Sequence, residues 1–326
     1  MKRRVPATAA SPDRAEVLRL ITSAARKIHR GASLLAVKRR AIFICRALKY
    51  RTLLQGFWTR LMNASPDGRI RVYADVVGVT EWPYLNNAWN VAERLDRIAT
   101  HYESLAAASR TLLELDKRTA VRLIDLSRFS ADCEILIDRA TWFRREGELV
   151  LNLFKDNLRV ASMAFILGIE DGAPAILIGA TQGIHAGVST ERSLQIFRDL
   201  TKDFEGLRPR SLLIEILRMM ANALQIARLL AIADENRHHR HRYFGAAEQA
   251  KLGANYNEIW AEHGGSPSTP AGFYELPLHP KRKELAEVAA KKRAMYRRRY
   301  AMLSEIEGEI TSTIKAWSSG EPAGKR

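Results

Sequence analysis

The chain has 326 residues, 47% of them hydrophobic, and a formal net charge of +16. That length and apolar content exclude a wholly disordered chain and leave room for one large domain with helical attachments, or two domains. Its two cysteines, Cys45 and Cys133, lie far apart and outside any CxxC spacing, which excludes a disulfide scaffold and suits a reducing compartment.

Residues 1–60 hold 15 Lys/Arg against Asp13 and Glu16, a net of +13. Residues 1–13 read as a flexible basic tail. Met1-Lys2-Arg3-Arg4 opens like a secretory leader, but the stretch from Val5 to Ala10 is too short and polar residues follow at once, so no leader is expected. Residues 14–118 read as a basic, amphipathic helical region. Val17, Leu18, Ile21, Ala25 and Ile28 share one helix face, and Leu35, Ile42, Phe43, Leu48 and Leu53 mark a second helix, the two together covering 14–62. Both carry dense Arg/Lys opposite the apolar stripe. Docking of the stripes on the chain's own core is the plain expectation, and an anionic membrane surface is the alternative. Residues 63–84 are loop-like, with Pro66-Asp67-Gly68 and Trp82-Pro83. Helix returns over 85–118, where Trp89, Ala92, Leu95, Ile98, Tyr102 and Leu105 form a stripe.

Residues 119–280 read as an α+β domain with a central, mostly antiparallel sheet. Ala120–Leu126, Glu134–Ile137, Glu148–Phe154, Leu158–Ile169 and Ala175–Thr181 are short apolar or alternating runs. Arg145-Glu146-Gly147, Lys155-Asp156-Asn157 and Glu170-Asp171-Gly172-Ala173 supply the turns. Two helices follow, over 189–204 and 209–226, then a strand from Arg228 to Ala233, a short helix over 246–262 and a strand from Gly272 to Leu276. A long basic helix spans 281–317, and residues 318–326 form a tail. Residues 281–300 hold nine Lys/Arg against Glu284 and Glu287, a net of +7, which leaves −4 for the chain outside the two basic clusters. Basic clusters at both ends favour polyanions: phospholipid head groups, nucleic acid or an acidic protein patch. No run of about 18 uncharged apolar residues marks a transmembrane helix.

The segment Gly206-Leu207-Arg208-Pro209-Arg210-Ser211 carries the strongest chemical signal. Gly206 permits a tight approach and Pro209 suits a first helical turn. Helix-start amides with Arg208 and Arg210 make an anion cradle. The spacing matches neither a Walker A loop nor a dinucleotide fingerprint. The order of strands and helices resembles that of acyl-CoA transferases of the GNAT fold. The resemblance implies an acyl-CoA-type anionic donor held by Gln182, Gly206, Arg208, Arg210 and Ser211, with His239 or Tyr256 handling the proton. His238, His239 and His241 stand among Arg237, Arg240 and Arg242, which would repel a cation, so no metal site is expected. No zinc-finger spacing, RNP-like strand or helix-turn-helix supports nucleic-acid binding beyond the charge.

Several stretches resemble the VirK/YbjX family: Ile178-Gly179-Ala180-Thr181-Gln182-Gly183; Gly206-Leu207-Arg208-Pro209-Arg210; Tyr256-Asn257-Glu258-Ile259-Trp260 followed by Gly264-Gly265; Gly272-Phe273-Tyr274-Glu275-Leu276-Pro277; and Lys291-Lys292-Arg293-Ala294-Met295-Tyr296-Arg297-Arg298-Arg299-Tyr300. Asn257 departs from the pattern, which has an acidic residue after the tyrosine. The resemblance implies a bacterial cytoplasmic protein, peripheral at the inner membrane, that supports envelope integrity, virulence and cationic-peptide tolerance. Catalysis on a lipid or envelope component and non-catalytic docking on anionic membrane are the two mechanisms this leaves, with a nucleic-acid module third.

Overall fold

The structure, a computed structural model, describes residues 13–65, 70, 74–185, 187–246 and 253–319. The tails before Asp13 and after Ser319, the Pro66-Asp67-Gly68 turn and residues 247–252, within the short helix expected over 246–262, lie outside the described residues.

Three helices come first: α1 (Arg14–Ile28), α2 (Leu34–Lys49) and α3 (Arg51–Ala64). The two-helix expectation for 14–62 is corrected here, because the chain breaks at Tyr50 between α2 and α3. Asp13 and Glu16 form a reciprocal capping box that starts α1, and Ser33 caps α2. Val17, Ile21, Ala24 and Ala25 of α1 are buried, so its stripe docks on the chain's own core. A 3-10 turn (Ala74–Thr80) leads to α4 (Val91–Ala108), again opened by a capping box, Asn90 with Glu93, and then to the single turn α5 (Arg110–Leu113). Helix does not begin at residue 85: Tyr84 and Asn86 are isolated bridge residues around Leu85 at φ 50°, whose N–H donates to the Arg145 carbonyl and whose carbonyl accepts the His238 N–H.

Eight strands make one sheet in the order β1-β2-β3-β4-β5-β6-β8-β7. They are β1 (Ala120–Asp125), β2 (Cys133–Arg139), β3 (Leu149–Lys155), β4 (Leu158–Glu170), β5 (Ala173–Gln182), β6 (Arg228–Ile232), β7 (Ser266–Pro267) and β8 (Phe273–Leu276). All neighbours are antiparallel except β5 and β6, which run parallel because α6 (Thr190–Asp203) and α7 (Pro209–Ala223) connect them. α8 (Tyr256–Glu262) and α9 (Ala290–Ser319) complete the described helices. The last helix thus starts nine residues later than the charge pattern suggested.

Leu149, Leu151 and Leu153 belong to the main core, while Val150, Ala164 and Ala180, cross-strand neighbours, make a smaller cluster with Ala140 and Phe143. This alternation is what a sheet buried on both faces requires. α7 and α9 pack together, and α9 presses Leu303, Ile306, Ile310, Ile314 and Trp317 into the core. Its heptad-like stripe therefore packs on this chain.

One irregularity positions everything that follows. The β4–β5 register shifts between Ala164 and Phe165, leaving Gly179 as an extra residue in β5. A Cβ at Gly179 would lie 1.9 Å from the Glu146 carbonyl oxygen, so only glycine admits this turn. A bulge bends its strand. The parallel β5–β6 ladder ends at that bulge, with Ile178 opposite Ala231.

Candidate functional site

Beyond Ile178 the two parallel strands part, and α8 bridges them. The Tyr256 hydroxyl accepts the Thr181 N–H and donates to the Thr181 carbonyl, both at 3.0 Å. One helical turn on, Trp260 Nε1 donates to the Ile232 carbonyl at 2.8 Å. α8 exists at this place because Asn255 caps it, accepting from Asn257 and Glu258, while Asn257 Oδ1 accepts the Asp234 N–H at 2.8 Å. Asn257, the departure from the family pattern, therefore ties α8 to the chain after β6.

An open cavity of about 870 Å³ lies at the end of β5. Ala161, Gln182 and Gly183 come from the sheet, Leu194, Phe197, Arg198, Thr201 and Lys202 from α6, and Met295 and Arg298 from α9. The α6–α7 connection closes it. There α6 ends in a Schellman arrangement: the Gly206 N–H donates to Thr201 and the Glu205 N–H to Lys202, with Glu205 and Gly206 at φ 51° and 78°. A Cβ on Gly206 would meet Arg299 at 2.6 Å and Met295 at 3.2 Å, so glycine is needed for conformation and closeness alike.

The turn delivers Arg208 as the residue before α7 and Pro209 as its first. No side chain caps α7. The amides of its first turn are thus left to water or a ligand, at the positive end of a 15-residue helix. Arg198, Lys202, Arg208, Arg210 and Arg298 line the same cavity, against two carboxylates: Glu205 in the lining, which Arg298 holds with two bonds of 2.7 and 2.8 Å, and Glu262 beside Arg208. Arg208 pairs at 3.2 Å with Glu262 and stays 69% exposed. His263 reports on this field: burial, then the charges of Arg218, Arg210 and Arg208, pushes its imidazole down to about 4.

Gln182, Gly206, Arg208 and Arg210, expected together, do line one cavity. Ser211 lies behind them, its hydroxyl 3.3 Å from His263 Nε2. Tyr256 is fully buried, its hydroxyl committed to Thr181, and burial pushes its phenol up to about 12. His239 is elsewhere. It stacks on His238, ring centroids 3.7 Å apart, and both Nδ1 atoms approach the Glu146 carboxylate, at 3.7 and 3.8 Å. Burial raises Glu146 to about 8, although Arg237 and Arg145 oppose the rise. The charges of Glu146, which raises it, and of Arg237 and Arg210, which lower it, also act on the Tyr256 phenol.

The histidine run was expected to hold no metal. The structure does bring His238 and His239 against Glu146, three potential ligand atoms within 4.8 Å of one another, whereas His241 stands apart. The charges of Arg237 and Arg145, which lower the pKa of the carboxyl, would also weaken its hold on a cation. Glu146 was legible only as part of a turn, and Arg198 and Lys202 only as polar residues of an amphipathic helix. His101, the other histidine of note, is a core residue: its Nδ1 accepts the Leu167 N–H at 3.0 Å, and burial holds it well below its usual range.

The sequence profile of a family described as "Protein of unknown function (DUF535)" matches residues 33–312. "Uncharacterized protein YbjX" of Escherichia coli (strain K12) is 32% identical over 173 residues, 52% of this chain and 50% of that protein. An "Uncharacterized protein" of Haemophilus influenzae is 32% identical over 135 residues, 41% of this chain and 43% of its own. A second from the same organism is 27% identical over 235 residues, 71% and 73% of the two chains. The chain thus spans about half or less of the first two relatives. No solved structure matches significantly. No helix among the described residues is long and apolar enough to cross a membrane.

Proposed function

The chain belongs to the DUF535 family, of VirK/YbjX type, and we propose, from the site rather than from the family, that it is an acyltransferase of GNAT-like plan, acting on a lipid or envelope component at the cytoplasmic face of the inner membrane. The observation that carries the reading is the cationic cavity at the uncapped start of α7, beside parallel strands that part at a glycine bulge. Ligands of α/β folds favour this location, outside the carboxyl end of a strand where a helix begins. The cavity walls add Leu194, Phe197, Pro209 and Met295 to the arginines, which suits a donor with an anionic head and an apolar chain.

In this reading Arg208, Arg210 and the first amides of α7 hold the donor's phosphates, and Gln182 and Gly183 flank its acyl arm. The acceptor's amine or hydroxyl attacks the thioester carbon. A new C–N or C–O bond forms and the C–S bond breaks. The acceptor's proton passes to the base, for which this reading keeps His239 beside Glu146, and the departing thiolate takes a proton from water in the open cavity. Tyr256, its hydroxyl held by Thr181, supports the wall rather than the proton transfer. Envelope integrity, virulence and cationic-peptide tolerance would follow from modifying an envelope component.

Titration of an acyl-CoA against the wild type and an Arg208→Ala/Arg210→Ala variant tests this. Losing two charge-assisted contacts should weaken binding by about 10- to 100-fold. Equal affinity for the two proteins, or binding by neither, rejects the acyl donor.

A further inference from the structure

We propose that the outer face of α2 docks on an anionic lipid bilayer. This deepens the reading of a protein at the membrane, and its test is separate from donor binding. α2 buries only Ala36, Phe43 and Ala47. The opposite face runs Leu34, Lys38, Ala41, Cys45 and Lys49, at spacings of four, three, four and four, and every one of them is exposed. Leu34 is 90% exposed, Leu35 57%, Val37 52% and Ile42 41%. Scattered apolar residues on a surface mean little, but Leu34, Leu35 and Ile42 fall within about 100° of helix circumference, on either side of Lys38, and make a patch.

Charge decides what covers that patch. The sequence of α2 contains Lys38, Arg39, Arg40, Arg46 and Lys49 and no acidic residue. Among the described residues, no ion pair engages Lys38, Arg39 or Lys49. The sequence before Asp13 carries Lys2, Arg3 and Arg4 and no acid, so it adds to the positive charge of α2 and offers nothing to neutralise it. A second copy seated face to face would set lysine against lysine. An anionic bilayer meets both demands: leucine and isoleucine enter the head-group region, while the lysine and arginine stems let their charges reach lipid phosphates. Nucleic acid would satisfy the cations and leave the leucines in water.

The test uses the full chain and sedimentation with vesicles of phosphatidylcholine, with or without phosphatidylglycerol, at low and high salt. The wild type is expected to bind only the anionic vesicles and to be released by salt. Leu34→Glu/Leu35→Glu and Lys38→Glu/Arg39→Glu/Lys49→Glu should each reduce bound protein about tenfold or more. Because these side chains are exposed, thermal midpoints and acyl-CoA affinity should stay unchanged. Equal binding to neutral and anionic vesicles, binding to neither, or wild-type binding by the leucine variant overturns the proposal. Tight binding of duplex DNA by the leucine variant, with no vesicle binding by the wild type, overturns it in favour of nucleic acid. Vesicle binding without acyl-CoA binding would leave the docking face standing and remove the transferase.

Discussion

Glu146 and Glu148 stand two residues apart on one turn, and their company differs. The Glu148 carboxylate accepts from the Tyr102 hydroxyl at 2.7 Å and the Tyr84 hydroxyl at 3.1 Å, and Tyr102 in turn accepts from Arg139. Arg139 is buried and also donates to the carbonyls of Leu113 and Leu115. This is a closed network that ties α4 and α5 to the sheet. Glu146 faces two imidazoles at 3.7 and 3.8 Å, outside hydrogen-bond reach, and the charges of Arg237 and Arg145 act on it. Burial raises both carboxyls, Glu148 against two tyrosine hydrogen bonds and the Arg139 charge, Glu146 to about 8. A satisfied buried charge is scaffolding, while a raised, loosely held one is poised to exchange a proton.

Glu148→Ala is the harshest way to break the contrast. It leaves Arg139 buried without its carboxylate and two tyrosines without an acceptor, and should lower the unfolding free energy by about 3–5 kcal/mol. Denaturant midpoints measure this. A loss under about 1 kcal/mol would mean that Glu148 is no more structural than a surface charge.

Glu146→Gln should act through pH. The folded value of about 8 exceeds the ordinary carboxyl value of 4.5, so between them the folded chain keeps a proton that the unfolded chain releases. Wild-type stability therefore falls as pH rises through that window, by up to about 1.4 kcal/mol per unit. The glutamine variant should flatten this slope and exceed the wild type in stability above pH 8. Identical slopes would show that Glu146 is ionised in the folded chain.

The two carboxylates also mark what could be read in the sequence. Strand alternation and turn residues exposed the sheet, and Pro209 with its arginines exposed the cavity, because those signals are local. Glu146 and Glu148 read as turn and strand-start residues, since their partners lie 46 to 93 positions away: Tyr102, Tyr84, His238 and His239. The bulge at Gly179 was equally hidden, because it is created by the Glu146 carbonyl arriving from another hairpin. The basic helices divided the same way. Charge density gave their polarity, but which apolar residues of α2 face outward depends on where α1 and the 3-10 turn pack.

Tyr256 offers the finest test, because charges of both the cluster and the cavity act on its phenol. Tyr256→Phe removes one hydroxyl and leaves the Thr181 N–H and carbonyl without their partner, while the ring keeps its packing on Trp260, centroids 5.4 Å apart. A cost of about 1–3 kcal/mol follows from the buried polar groups. The Thr181 amide should exchange its hydrogen faster than those of Ala175 to Ile178, which the β6 ladder still protects. If the Glu146 slope with pH survives this substitution, burial alone sets its proton affinity and the tyrosine serves the parted strands. If the slope shrinks, the phenol and the carboxyl act as one proton-handling unit that reaches from the histidines to the edge of the cavity.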